Sequence, residues 1–203
     1  MQKIMFNDKY GLQRAAIAGT KPMTRRLISN QQAIYSLDEQ EVIGQLAVSE
    51  NFVKKYSRYQ VGEVVAIAQS YKDVGYTKEW VLQHVKPNPN AKPTDPFEKR
   101  YPGWTNKMFV KAEFMPHRIR ITDLKVERLQ DISDEDCLEE GIYMDWNECG
   151  GWTLTEFYDY PNNDDDGFDT PREAFASLID KVSGRGTWDR NTWVFAYSFY
   201  LIK

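Results

Sequence analysis

Residues Trp193 to Ile202 read Trp-Val-Phe-Ala-Tyr-Ser-Phe-Tyr-Leu-Ile, apolar on both alternations of an extended chain. Successive side chains of a strand point to opposite faces, so a segment apolar on both has to be covered on both. That makes it a central strand and forces a layered architecture, with neighbouring strands beside it and helices over its faces. The 203 residues suffice for one such domain with added loops.

Other segments fill in the layers. Ile4 to Phe6 reads as a short strand and Val61 to Gln69 as a longer one, rich in Val and Ile. Leu12, Ala15 and Ala16 fall at helical spacing after the potential caps Asn7 and Asp8, and Gly19 ends that helix. Residues 41 to 56 are helical in part. Trp80 to Val85, Met108 to Phe114 and Arg118 to Leu129 read as strands, with Ile119 and Ile121 on one face of the last and Arg118 and Arg120 on the other. Between the first two of these, residues 86 to 103 hold five prolines, too many for regular structure. Ser133 followed by Asp134, Glu135 and Asp136 opens a helix that Gly141 closes. Thr170-Pro171-Arg172-Glu173 joins a cap, a first-turn proline and a capping-box glutamate ahead of the stripe Ala174, Phe175, Leu178, Ile179, Val182. Residues 143 to 169 are acidic, aromatic and loop-like.

The net charge is −4, from 26 Lys and Arg against 30 Asp and Glu, which taken alone argues against a polyanionic partner. The average conceals a split. Residues 131 to 169 hold 14 acids and no Lys or Arg, and the remainder of the chain carries 26 basic against 16 acidic residues. An uneven field of that kind is compatible with polyanion binding. No run is apolar enough to cross a bilayer, and Met1 to Phe6 is too short for a signal peptide, so no membrane association and a cytoplasmic location are expected. Cys137 and Cys149 lack metal or redox spacing and His84 and His117 stand apart from them, so neither a metal nor a cofactor is expected.

Chemistry concentrates in the turn Gly19-Thr20-Lys21-Pro22-Met23-Thr24-Arg25-Arg26, which follows a helix end. If it is extended, Thr24 and Arg26 share a face and Arg25 points the other way. Such a turn is either an anion-binding and catalytic corner or a solvated basic surface.

The pattern Gly-x-Lys-x-x-Thr-x-Arg resembles the signature of the ASCH (activating signal cointegrator homology) domains of the PUA-like superfamily. The order of other features agrees: a helix before the motif, Gly62-Glu63-Val64-Val65 opening a strand, an acidic helix ending Cys137-Leu138-Glu139-Glu140-Gly141, and the aromatic final strand Trp193-Val194-Phe195. The likeness covers residues 3 to 30, 60 to 70, 107 to 142 and 190 to 203. Stretches near 86–106 and 143–189 look like loop insertions into one domain spanning 1–203, as in family members resembling phage or prophage proteins. The resemblance implies an α+β fold, a PUA-like β-barrel built from a twisted mixed sheet with peripheral helices. It also implies RNA or nucleotide binding and, for one bacterial branch, hydrolysis of N4-acylated cytidine. Carried over by position, Lys21 is the base, Thr24 the nucleophile and Glu140 the proton donor, with Arg26 the motif's terminal cation; the expected nucleotide contacts are Lys21, Arg25, Arg26 and Trp104. The chain departs from the pattern at Pro22, where a hydroxyl residue is common, and at Arg25, an added charge. A Lys can activate a Thr hydroxyl once burial or neighbouring cations lower its proton affinity, and a carboxylic acid can protonate the leaving amine.

Three further features carry two readings each. Residues 162 to 173 place oxygen donors at positions 1, 3, 5, 9 and 12 and Gly167 at position 6 of a calcium-loop template, or form a solvated acidic loop. Trp104 and Trp152 sit beside Gly-containing turns, where they either stack on unpaired bases or cap a core. His117 either joins Arg118 and Arg120 in a basic stripe or is structural. The function classes left open are an amidohydrolase, an RNA-binding module without catalysis, and a phage accessory factor that contacts a protein through its acidic loop.

Overall fold

A computed structural model describes residues 1–44, 48–149, 153–164 and 166–202. In chain order the elements are β1 (Lys3–Ile4), α1 (Leu12–Ala18), β2 (Met23–Leu27), α2 (Gln31–Val42), α3 (Glu50–Tyr56), β3 (Val64–Ile67), α4 (Tyr71–Val74), α5 (Lys78–His84), α6 (Phe97–Arg100), β4 (Arg118–Arg128), α7 (Asp134–Glu139), β5 (Tyr143–Cys149), β6 (Thr153–Asp159), α8 (Pro171–Ser183) and β7 (Trp193–Ile202). The class is α+β.

Five strands form one sheet in the order β1-β3-β4-β7-β2, and β5 and β6 form a separate antiparallel hairpin. β7 lies between β4 and β2, with Trp193, Val194, Phe195, Ala196 and Tyr197 all buried, as two-sided apolarity requires. β1 is parallel to β3, whereas β3 with β4 and β2 with β7 are antiparallel, so the sheet is mixed. The expected β-barrel is not formed. β1 and β2 stand at opposite ends of the strand order and form no ladder with each other among the described residues. Closure needs edge strands long enough to pair at a consistent tilt and stagger, and β1 offers only Lys3 and Ile4.

The chain divides into two compact units, one of residues 1–6, 64–120 and 201–203, the other of residues 7–63 and 121–200. The first is built around buried Ala66, Ala68, Tyr71, Val81, Tyr101, Val110 and Met115, with half-buried Trp80, Phe97, Trp104 and Phe114 packed against them. Two expected strands of this unit are absent. Trp80 to Val85 belongs to helix α5 and its C-cap, started by Thr77 Oγ1, which accepts from the Trp80 N–H at 3.1 Å. Its Trp, Val and Leu suit a buried helix turn as well as a strand, and the cap decides between them. Met108 to Phe114 falls in two 3-10 turns, 107–109 and 112–114. The proline-rich stretch contains α6 and another 3-10 turn at Pro102–Trp104.

In the second unit Ser133 and Thr170 cap their helices as expected, whereas α1 starts from Gly11 at φ 65° with no side-chain cap, not from Asn7 or Asp8. Ser133 Oγ accepts from the Asp136 N–H and Thr170 Oγ1 from the Glu173 N–H, at 3.1 and 3.2 Å. Residues 143–149 and 153–159, expected to be loop-like, form the β5–β6 hairpin instead.

Candidate functional site

The second unit brings the basic turn to the end of α7. After α1, Gly19 adopts the left-handed region at φ 79°, and the N–H groups of Gly19, Thr20 and Lys21 fold back onto the carbonyls of Ala15 and Ala16. The chain leaves this wrapped end into β2, whose register against β7 sets Thr24 opposite Tyr197, Arg25 opposite Ala196 and Arg26 opposite Phe195. Thr24 and Arg26 therefore share one face of the strand, and Arg25 occupies the other.

Lys21 is 1% exposed. Its Nζ donates to the Glu140 main-chain oxygen and to Glu140 Oε2, each at 2.5 Å. An ammonium on the last carbonyls of a helix suits their negative end, and here the same cation also meets a carboxylate. The next residue, Gly141, has φ 104°, a backbone conformation that a side chain would strain, and a Cβ there would lie in ordinary contact with Leu12 and Lys21. Burial pulls the Lys21 proton affinity below that of an ordinary lysine. The charge and hydrogen bond of Glu140 oppose this, and nearby Arg26 and Arg25 add to the lowering.

Arg25 turns to carboxylates. Its Nε donates to Glu127 Oε1 at 2.9 Å, its Nη2 to Asp136 Oδ2 at 2.5 Å and its Nη1 to Glu140 Oε1 at 3.4 Å. Burial disfavours the guanidinium charge, yet Glu140, Glu127 and Asp136 outweigh it and raise the Arg25 pKa. Two cations and three carboxylates thus tie β2 to β4 and α7. Sequence reasoning had not found Glu127 and Asp136. The signal for Asp136 was present, since it lies one helical turn before Glu140 and so on the same face.

The other face of β2 is different in kind. Thr24 is 4% exposed, and its hydroxyl makes no side-chain hydrogen bond among the described residues. Beside it stand Tyr197, whose OH is 2.8 Å from Ser57 Oγ, and Tyr59, whose ring meets that of Tyr197 edge-on at 5.4 Å. Arg26 is half-buried on this face. Burial lowers its pKa, against the pull of Tyr59, Glu140 and Tyr197. Of the expected triad, then, Lys21 and Glu140 are hydrogen-bonded, and the Thr24 hydroxyl is hydrogen-bonded to neither side chain.

The remaining expected site residues lie elsewhere. Trp104 is in the first unit, edge-on to Phe97 at 5.5 Å with Lys78 Nζ 6.0 Å from its ring centre. His117 Nδ1 is 2.6 Å from Gln69 Oε1, while Arg118 and Arg120 are exposed on β4. Trp152 and Asp165 fall outside the described residues. Asn163 Oδ1 accepts from Lys181, Asn162 Nδ2 donates to the Lys9 carbonyl, and no group of three metal-ligating side chains occurs among the described residues. No helix is long and apolar enough to cross a membrane.

Comparison with protein-family models, with curated proteins and with solved structures returns no match.

Proposed function

We propose that this chain is an ASCH-like protein that recognises a nucleotide, or the unpaired bases of an RNA, at the face of β2 carrying Thr24 and Arg26. One observation carries the reading: the half-buried Arg26 guanidinium reaches the surface on the β2 face it shares with Thr24, over buried Tyr197 and the buried Tyr59 ring that meets it edge-on. A guanidinium suits a phosphate, and the buried phenols behind Arg26 fix its place rather than meet the base themselves. The buried Lys21–Glu140 pair holds the turn in place behind them.

Calorimetry with short single-stranded RNAs and with cytidine nucleotides tests this. Arg26→Ala is expected to weaken binding by about tenfold or more, in line with about 1.5–3 kcal/mol for a charge-assisted hydrogen bond. Equal affinity of the variant and the parent protein would remove the site.

A second reading, hydrolysis of an N4-acylated cytidine, is favoured by the 2.5 Å contact of Lys21 with Glu140 and by the lowered proton affinity of Lys21. Neutral Lys21 would take the Thr24 proton as Thr24 Oγ attacks the acyl carbon. The C–N bond would then break with Glu140 protonating the leaving amine, and water would release the acyl group from Thr24. Turnover unchanged in Thr24→Val would eliminate the nucleophile. A cytoplasmic setting accords with the free Cys137, a thiol whose pKa burial raises to about 12.

A further inference from the structure

The β5–β6 hairpin has two unlike faces. Its register pairs Met144 with Tyr158 and Trp146 with Glu156, so these four side chains share one face, and Tyr143, Asp145, Phe157 and Asp159 lie on the other. On the Phe157 face the ring packs against Gly167 so closely that a Cβ there would clash with it, while Tyr143 is 41% exposed; along the β6 edge Phe168 exchanges main-chain hydrogen bonds with Tyr158 at 2.8 and 2.9 Å. The opposite face holds Trp146 at 51% exposure and Met144 at 45%. Large apolar side chains grouped in the open on a two-stranded ribbon mark a surface that gains by being covered.

Charge states what would cover it. Residues 131 to 169 hold 14 acids and no Lys or Arg. Glu156 stands directly across from Trp146 and accepts a hydrogen bond from the Tyr158 hydroxyl. That bond raises the Tyr158 pKa, with smaller contributions from desolvation and from the charges of Glu156 and Asp134. An indole beside carboxylates is the setting that guanidinium groups fill best. Their plane stacks on the ring while their N–H fork reaches the acids, whereas an ammonium is compact and more strongly hydrated.

We propose that this face, Met144, Trp146, Glu156 and Tyr158, docks an arginine-rich segment of a protein partner. The surface is independent of the nucleotide reading, because none of its residues belongs to the Thr24 face.

The test is fluorescence anisotropy of the full chain with labelled homopeptides of arginine, lysine and glutamate, about nine residues each, at near-physiological salt. The arginine peptide is expected to bind about fivefold tighter than the lysine peptide, and the glutamate peptide not at all. Trp146→Ala should abolish the preference for arginine, Trp146→Phe should restore most of it, and Glu156→Gln should weaken both cationic peptides. Circular dichroism checks that each variant keeps its fold. Equal affinity for arginine and lysine, or a preference that survives Trp146→Ala, would overturn the proposal. So would light scattering that shows self-association lost in Trp146→Ala, since a second copy would then be the occupant. Nucleotide binding by Trp146→Ala should match the parent protein, so failure here and failure at Arg26 are told apart.

Discussion

The two compact units carry opposite charge and differ in how deeply their ion pairs lie. Residues 1–6, 64–120 and 201–203 hold 12 Lys and Arg against 5 Asp and Glu, and residues 7–63 and 121–200 hold 14 against 25. Cations lie over ring faces in both, as with Lys78 Nζ 5.1 Å from the Phe97 ring centre in the first and Arg128 4.2 Å from that of Trp193 in the second, but the first unit's ion pairs, Lys99 with Asp95 and Lys111 with Glu113, have exposed lysines. In the second, Lys21 and Arg25 are buried against Glu127, Asp136 and Glu140. A basic motif is therefore not a basic surface. The residues that make the turn look like a polyanion site are largely neutralised from within, and the uncompensated positive charge sits in the unit without the motif.

Substitutions in each unit separate the two modes. The largest effect is expected for Glu140→Ala, which strands the buried Lys21 ammonium and weakens the hold on Arg25. Breaking a buried pair from one side costs about 3–5 kcal/mol, and Lys21→Met combined with Glu140→Leu should recover most of it. Denaturant unfolding measures the loss, and hydrogen exchange should loosen β2 and α7 while sparing residues 64–120. Next is Gly103→Ala. Its Cβ would come 2.7 Å from the Tyr71 ring and 3.0 Å from the Phe109 carbonyl, so a cost of about 1–3 kcal/mol is expected, with α4 and α5 loosened instead. If both substitutions loosen the same amides, the two units unfold as one and the comparison fails.

The smallest effect concerns Asp180 in α8. Burial disfavours its charge, but N–H groups of Trp188, Gly186 and Thr187 outweigh that and hold its pKa below the usual carboxylate value. A carboxyl with a lowered folded-state pKa contributes stability above its unfolded value and loses it as pH falls through the folded one. Asp180→Asn should therefore be less stable than the parent near neutrality, with the gap closing under acid conditions in thermal melts at stepped pH.

What could be read from the residues was local and strongly patterned. α8 has its cap, its first-turn proline, its stripe and its terminal Gly184, each of which acts within a few residues. β7 was readable because two-sided apolarity has one structural solution. The hairpin was not, because Tyr143, Trp146, Phe157 and Tyr158 lie among acids with no clean alternation, and pairing across the turn rather than pattern makes the strands. Barrel closure was beyond the sequence for a similar reason, since it depends on whether distant edges meet. At the site, the sharing of a face by Thr24 and Arg26 followed from strand geometry. The inward turn of Arg25 did not, since Glu127 is 102 residues away and nothing local points to it.

The placing of β2 at an edge of the sheet sets the order in which the molecule can assemble. Its neighbour in the strand order is β7, with Met23 opposite Ser198, and the Lys21–Glu140 contact spans 119 residues. Contacts this remote must first bear the entropy of closing a long loop, so they form late. During synthesis, the Lys21 turn leaves the ribosome early and waits for its two anchors, first the end of α7 and then the strand that follows α8. Until that strand is made, the main chain of β2 lacks its ladder partner, and the corner that holds Lys21, Thr24 and Arg26 is among the last parts of the fold to exist.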